Sequence, residues 1–136
     1  IPLSHLSTLA QTAPRNGNMA SDDPVIRDRT MKMIVRQQGF SQTIRRAGVK
    51  GLVDHPARIP LQIKLVASEN GQDQSALGVE IGGASSTLRQ IDKNTLHGGM
   101  WPYNYIASFG GTIAEGTSEI QRNQIGERAL GLPKSK

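Results

Sequence analysis

A seven-residue recurrence of apolar side chains between residues 21 and 52 constrains the fold of this chain more than any other feature. The residues that recur every seven positions are Ile26, Met33, Phe40 and Ala47. Between them lies a second row, which contains the apolar Ile44 and the polar Thr30 and Gln37. This spacing gives a helix one apolar stripe. Capping oxygens in residues 21–23 precede Pro24, which suits a first helical position. The segment therefore predicts a long amphipathic helix from residue 21 to about residue 52.

A second helix is predicted after the segment DHPARIP, because residues that precede proline disfavour the helical conformation. It should run from Leu61 to about Ile81. Its apolar face consists of Ile63, Ala67, Leu77 and Ile81. Two polar residues on the same face, Asn70 and Gln74, make it less apolar. The segment GGASST then interrupts the helix, and residues 88–99 are predicted to be a loop with a short helical turn.

Two further helices are predicted near the carboxyl end. The first runs from Trp101 to Phe109, is opened by a proline and ends at a Gly-Gly pair. The second has an S-x-x-Q capping box, formed by Ser118 and Gln121, and Gly131 and a following proline stop it after Leu130.

No run of four or more residues alternates convincingly like a strand, so the chain is predicted to be all-α, an up-and-down helical bundle. Its 136 residues suit one domain, residues 1–136, with a single core. Hydrophobic residues make up 36% of the chain, and no apolar run approaches the roughly 18 residues of a membrane span. We therefore expect no membrane span.

The formal charge of +5 raises the possibility of nucleic-acid binding. However, the basic residues between positions 22 and 50 are scattered among acidic and apolar ones, and only two Tyr, two Phe and one Trp are available for base stacking. No nucleic-acid partner is therefore expected. Because the chain has no Cys, disulfides, thiolate catalysis and Cys-ligated metals are excluded. Its three His match no metal-ligand spacing, so no metal site is predicted.

The stretch TIAEGTSEIQRNQIGERALGLP, which starts at Thr112, is the densest in chemical groups. Glu115 could be a loop carboxylate near a helix start, where negative charge is favoured by about 0.3–1 kcal/mol. On local evidence this structural interpretation is preferred. The alternative is a general base, since Ile113, Ala114 and Gly116 predict an apolar, uncrowded approach in which burial would raise its pKa. The helix start at Thr117 to Glu119 could cap a side chain or hold an anionic ligand.

The segment IAEGTSEIQRNQIGERALGLP resembles, nearly residue for residue, the C-terminal signature of the acyl-CoA dehydrogenases. The helix DPVIRDRTMKMIVRQQGFSQTIRRAGVKGL, then IPLQIKLVASE and LGVEIGG, resemble the corresponding family segments in the same order. The resemblance runs from about Asp23 to Lys136. It implies the C-terminal helical bundle of a longer enzyme, since the family also has an N-terminal helical domain and a middle β-domain. The resemblance begins near the end of the first helix of that bundle, so an incomplete bundle is expected.

Position by position, the resemblance makes Glu115 the base that removes the α-proton of an acyl-CoA. It implies that the Glu115 N–H polarises the thioester carbonyl and that Gly116 lies against the substrate. Thr117 and Glu119 match positions that contact FAD.

Two further positions, Glu80 and Gly83, match a family Q-x-x-G-G that touches the FAD of a neighbouring subunit. Here Glu replaces Gln and Ala84 replaces the second Gly, which puts that contact in question.

The resemblance therefore implies an FAD-dependent acyl-CoA dehydrogenase that introduces an α,β double bond, with the isolated fragment inactive. It implies an acyl-CoA substrate, an electron-transfer acceptor protein and a homodimer or homotetramer. It also implies a place in fatty acid metabolism (β-oxidation), in a bacterial cytoplasm or, alternatively, a mitochondrial matrix. An oxidase-like relative and a non-catalytic oligomerisation or scaffolding module are the alternatives.

Overall fold

The computed structural model of this chain describes residues 1–52, 55–88, 90 and 92–134, and in this part the chain forms five α-helices and one two-stranded hairpin. The helices are α1 (Leu3–Thr12), α2 (Pro24–Arg46), α3 (Arg58–Gly82), α4 (Met100–Ile113) and α5 (Ser118–Ala129). The strands are β1 (Pro14–Arg15) and β2 (Asn18–Met19), and short 3₁₀ turns are found at Ala20–Asp22, Lys50–Leu52, Gly83–Thr87 and Leu96–Gly99. The predicted all-α bundle is confirmed.

Helix α2 begins where its capping chemistry predicts. Asp23 Oδ1 accepts hydrogen bonds from the N–H groups of Val25 (2.8 Å) and Ile26 (3.4 Å), and Pro24 occupies the first turn. Arg15 Nε donates to Asp23 Oδ2 at 2.7 Å. This bond from Arg15, followed by that from Val25, holds the pKa of Asp23 below its usual range. The cap therefore joins the hairpin to the first turn of α2.

The ends of the helices differ from the predicted ones. Helix α2 ends at Arg46 rather than near residue 52, and a separate 3₁₀ turn follows it. Helix α3 begins at Arg58, before the predicted Leu61, because Pro60 lies in the first turn, where its missing N–H is not needed. Helix α4 continues through the Gly-Gly pair to Ile113. The predicted short turn lies at Leu96–Gly99, whereas residues 89 and 91 of that segment are outside the described part.

The core lies at one end of the bundle. Its buried side chains come from α1, the turn before α2, the start of α2, the end of α3 and the start of α4: Leu6, Leu9, Ala10, Ala13, Ala20, Ile26, Met33, Leu77, Ile81 and Trp101. Helix α1 has 10 residues, whereas α2 and α3 have 23 and 25. Helix α1 is therefore too short to run along the whole of α2.

The predicted apolar faces of α2 and α3 are partly wrong, because different parts of each helix are covered. Ile44 and Ala47 are exposed because α1 does not reach that end of α2, and Phe40 is only partly buried. On α3, the predicted face residue Ala67 is exposed, while the polar pair Asn70 and Gln74, predicted to dilute the face, is buried. The remaining groove between α2 and α3 is lined mainly by Phe40, Ile59, Ile63 and Val66.

The β-hairpin was not predicted. Its turn consists of Asn16 and Gly17, which have φ angles of 50° and 84°. An Asn-Gly pair with both residues at positive φ is typical of the tightest hairpin turn. The dipeptide was the available signal, but strands of two residues leave no alternating pattern in the sequence.

Ion pairs show how the helices are oriented around α3. Arg29 of α2 pairs with Glu80 of α3, and Arg36 of α2 pairs with Asp73 of α3 at 2.6 Å. As the α2 number rises the α3 number falls, so these helices are antiparallel. Arg122 of α5 pairs with Glu69 of α3 at 2.6 Å. In all three pairs, α3 supplies the carboxylate and the flanking helix supplies the guanidinium.

Helices α3 and α4 make their closest approach at Gly78. A Cβ on Gly78 would lie 2.0 Å from Trp101 Cε3, which is shorter than any real contact. The Trp101 ring is buried against the bare backbone of α3. Glycine at position 78 therefore permits the close packing of α3 against the start of α4. No helix within the described ranges is long and apolar enough to cross a membrane.

Candidate functional site

Glu115 lies in the short connection between α4 and α5. Helix α4 ends when the Ala114 N–H donates to the Gly110 carbonyl at 2.8 Å. Glu115 then has φ 59° and Gly116 has φ 100°, so the chain reverses through two consecutive residues at positive φ. Positive φ is uncommon for a residue with a Cβ, and such strain clusters at functional sites. The backbone therefore marks Glu115 as unusual, independently of any sequence pattern.

The side chain of Glu115 is exposed, and within the described residues its carboxylate makes no hydrogen bond or ion pair. Ile113 and Ala114 are also exposed. Among the described residues the approach to Glu115 is therefore open, and no surface buries its carboxylate. The Glu115 N–H also has no acceptor in the described ranges, so it is free to donate to a ligand.

Side chains of α3 and α5 hydrogen-bond to the backbone of this connection. Lys64 Nζ, on α3, donates to the Gly116 carbonyl at 2.6 Å and lies 3.5 Å from the Thr112 carbonyl. Gln121 Nε2, on α5, donates to the Glu115 carbonyl at 2.8 Å, and Gln121 is buried. The carbonyls of residues 115 and 116 are therefore fixed to the bundle, and the Glu115 side chain is not.

The predicted capping box of α5 is wrong. Thr117, not Ser118, is the N-cap, and its Oγ1 accepts from the Ile120 N–H at 3.4 Å. Gln121 does not reach back to the cap, because its amide is used on the Glu115 carbonyl. A close contact favours this arrangement, since a Cβ on Gly116 would lie 3.1 Å from Gln121 Nε2.

Glu119 lies in the first turn of α5 and is exposed. A hydrogen bond from its own N–H, then one from the Thr117 hydroxyl, lowers the pKa of Glu119, and Arg122 lowers it further. Two donors of the helix start are thus already used by Glu119 and by the Thr117 cap. An anion at this end would have to bind the remaining N–H groups, because the Thr117 hydroxyl already donates to Glu119.

Glu80 and Gly83 lie elsewhere. Sixteen residues of α3 separate Lys64 from Glu80, which corresponds to about 24 Å along a helix. Glu80 pairs with Arg29, and Gly83 ends α3 with φ 52° and open space around it. The predicted site residues therefore form two groups at opposite ends of α3, with residues 115, 116, 117 and 119 in one and residues 80 and 83 in the other.

Lys64 was not singled out in the sequence. The available signal was a lone cation in the mainly apolar run IPLQIKLV, which is equally typical of a solvated lysine. The aromatic side chains of α4 are packing or surface groups. Trp101 is buried, Tyr103 is exposed, and Tyr105 packs edge-on against Phe109 at 5.3 Å. Within the part that the structure describes, no three His, Asp or Glu form a metal-binding group.

Comparison with known proteins decides the family. The model of the acyl-CoA dehydrogenase C-terminal domain matches residues 2–130 of this chain. The chain belongs to this family. Acyl-CoA dehydrogenase IpdE1 of Mycolicibacterium smegmatis is 32% identical to it over 130 residues, which are 94% of the chain and 30% of the relative.

Three solved structures have a similar fold. The ChsE4–ChsE5 complex from Mycobacterium tuberculosis matches with a TM-score of 0.81 at 24% identity and covers 98% of this acyl-CoA dehydrogenase domain and 35% of the matched chain. An FAD-dependent dehydrogenase matches with a TM-score of 0.75 at 23% identity over 96% of this chain and 33% of its own. A steroid acyl-CoA dehydrogenase, Tcur3481–Tcur3483, matches at 0.80 and 16% identity over 98% and 34%. The chain thus spans about a third of the relatives that it matches.

Proposed function

We propose that this chain is the C-terminal domain of an FAD-dependent acyl-CoA dehydrogenase that introduces an α,β double bond into an acyl-CoA thioester, with Glu115 as the base. Family membership supports the reaction class. The observation that carries the role of Glu115 is its position at positive φ, with a free carboxylate and a free N–H on the same residue.

The Glu115 carboxylate would take a proton from the carbon next to the thioester carbonyl. Removing this proton places negative charge on the carbonyl oxygen, and a donor aimed at that oxygen stabilises the transition state. The Glu115 N–H is such a donor, because no protein acceptor in the described part competes for it. Gly116, which has no side chain, would let the thioester approach the turn. One residue would thus supply both the base and an electrophilic contact.

The residues at the start of α5 suit FAD better than those at the end of α3. The Thr117 hydroxyl lies at a helix N-terminus, where N–H groups and the helix dipole favour phosphate. Gly83 leaves open space that a ligand could enter. Glu80, in contrast, is a carboxylate already paired with Arg29, so it cannot donate as an amide would. When bound, FAD supplies the two-electron acceptor for the β-hydrogen.

The test is anaerobic flavin reduction in the full-length protein on addition of a panel of acyl-CoAs. Bleaching is expected in the wild type, with a loss of about 10²- to 10⁴-fold in rate for Glu115→Gln, which keeps the shape and removes the base. Glu127→Gln makes the same chemical change on α5 away from the turn and should leave the rate unchanged. Bleaching that survives Glu115→Gln would move the base elsewhere.

One observation favours a second candidate, a non-catalytic oligomerisation module. The outer face of α4 exposes four large apolar side chains, Tyr103, Ile106, Phe109 and Ile113. Exposed apolar patches of this kind mark association surfaces. The two candidates differ in colour, because a flavoenzyme is yellow as purified. A colourless full-length protein that cannot be reconstituted with FAD would favour the oligomerisation module.

We also propose an electron-transfer protein as the acceptor that reoxidises the flavin, and a homodimer or homotetramer as the assembly. The oxidase-like alternative would pass its electrons to oxygen instead. Turnover that consumes oxygen and needs no protein acceptor would identify it.

A further inference from the structure

Lys64 reaches the backbone on both sides of Glu115. Its ammonium donates to the Gly116 carbonyl at 2.6 Å and approaches the Thr112 carbonyl at 3.5 Å. Thr112 lies in the last turn of α4, where carbonyl groups lack partners within the helix and favour a cation. One side chain of α3 therefore ties the end of α4 to the first residue after Glu115.

We propose that Lys64 is a positioning residue for Glu115, which acts by holding the main chain of the turn and not by touching the carboxylate. This inference rests on the proposed role of Glu115 as base. No ion pair joins Lys64 and Glu115, although both are described, so the ammonium does not neutralise the base. The positive charge is used on carbonyl oxygens instead.

The turn needs such a hold because of its backbone conformation. A residue with a Cβ at φ 59° is less stable there than in the extended or right-handed helical region. Gln121 fixes the Glu115 carbonyl from α5, and Lys64 fixes the next carbonyl from α3. With both carbonyls fixed, the direction of the Glu115 side chain and that of its N–H are set together. Loss of the Lys64 bonds would let this strained residue relax and would misdirect both groups.

The experiment uses the full-length flavoprotein and three variants. Lys64→Met keeps most of the stem and removes the charge, whereas Lys64→Arg restores a donor that can reach two carbonyls. Arg36→Met is the matched control, because it removes an interhelical bridge of the same 2.6 Å length between α2 and α3, far from the turn. Each variant is measured for FAD content, for acyl-CoA affinity, for the anaerobic rate of flavin reduction, and for hydrogen exchange of the peptide that spans residues 112–118.

For Lys64→Met we expect a rate of flavin reduction about 10- to 100-fold lower, because small displacements of a catalytic group cost this much. FAD content and acyl-CoA affinity should stay at wild-type values, and exchange in residues 112–118 should become faster. Lys64→Arg should recover much of the rate, and Arg36→Met should keep both the rate and the exchange of the wild type.

The outcomes separate the two proposals. A wild-type rate in Lys64→Met, with unchanged exchange in the turn, overturns the role of Lys64 while Glu115 remains the base. Equal losses in Lys64→Met and Arg36→Met also overturn it, since they indicate a general loss of structure. Rapid reduction in Glu115→Gln overturns the proposed role of Glu115 as the base, and the exchange measurement then still shows whether Lys64 holds the turn.

Discussion

Replacing Glu115 with glycine is expected to stabilise the domain while abolishing the proposed activity. Glu115 has φ 59°, and a residue with a Cβ in this region costs about 1–2 kcal/mol relative to right-handed conformations. Glycine removes this cost. It also makes the unfolded chain more flexible, which costs about 0.4–1 kcal/mol. The difference leaves a net stabilisation of up to about 1.6 kcal/mol, with a central value near 1 kcal/mol.

The comparison that isolates the backbone is Glu115→Ala. Alanine removes the carboxylate but keeps the Cβ, and the carboxylate has no partner within the described residues. Its free energy of unfolding should therefore stay within about 0.5 kcal/mol of the wild type. Both variants should lose flavin reduction in the full-length protein. Their difference in stability then measures the strain alone.

Urea denaturation of the domain, followed by circular dichroism, gives the three free energies of unfolding by linear extrapolation. The slope should be the same for all three proteins, so that shifts in midpoint report stability. A Glu115→Gly variant no more stable than Glu115→Ala would refute the reasoning, because the turn would then carry no strain for Lys64 and Gln121 to hold.

Two further predictions concern the fold. Gly78→Ala should lower the free energy of unfolding, measured by heat or urea, by about 1–3 kcal/mol, because the new methyl group meets the Trp101 ring. Gly71→Ala in the same helix has open space and should stabilise by about 0.5–1 kcal/mol. The reverse order would contradict the packing. Asp23→Ala should lower the melting temperature at pH 7. Since the folded pKa of Asp23 lies below the ordinary value of 3.8, this difference should persist above pH 3.8 and shrink as the pH falls through the folded pKa. A pH-independent difference would argue against the ionised cap.

The start of α2 was predictable from the sequence because its determinants are local. Asp23 caps the two N–H groups next to it in the chain, and Pro24 has its φ fixed by its own ring. The stop of α5 after Leu130 is local in the same way, with Gly131 at φ 69°. Helix ends that depend only on adjacent residues in the chain therefore lie where the sequence predicts them.

The buried side of the helices was less predictable, because burial depends on what covers a helix. Ile26 and Ile44 carry the same side chain on α2, yet only Ile26 is buried, because α1 reaches one end of α2 and not the other. The sequence pattern of α2 contains no information on the length of α1. The buried Asn70 shows the same limit on α3.

The candidate site divides in the same manner. Glu115 and Thr117 were identified from a motif, and the structure adds a left-handed backbone and a helix cap to them. Lys64 could not be found in this way, because 51 residues separate it from Glu115 and only the packing of α3 against the α4–α5 turn brings them together. The exposure of the Glu115 side chain could not be predicted from the motif for a related reason, since burial depends on covering surfaces that a motif does not describe.

The three ion pairs around α3 also affect which helices pack side by side. Each is exposed and contributes little to stability on its own. The signs, however, are arranged asymmetrically, with carboxylates on the central helix and guanidinium groups on both helices that flank it. Like charges would meet if α2 and α5 packed against each other, and a shift of either helix along α3 would separate its cations from Glu69, Asp73 or Glu80. The charge pattern thus favours one neighbour and one register for each flanking helix, and it contributes to the specificity of helix packing more than to the free energy of folding.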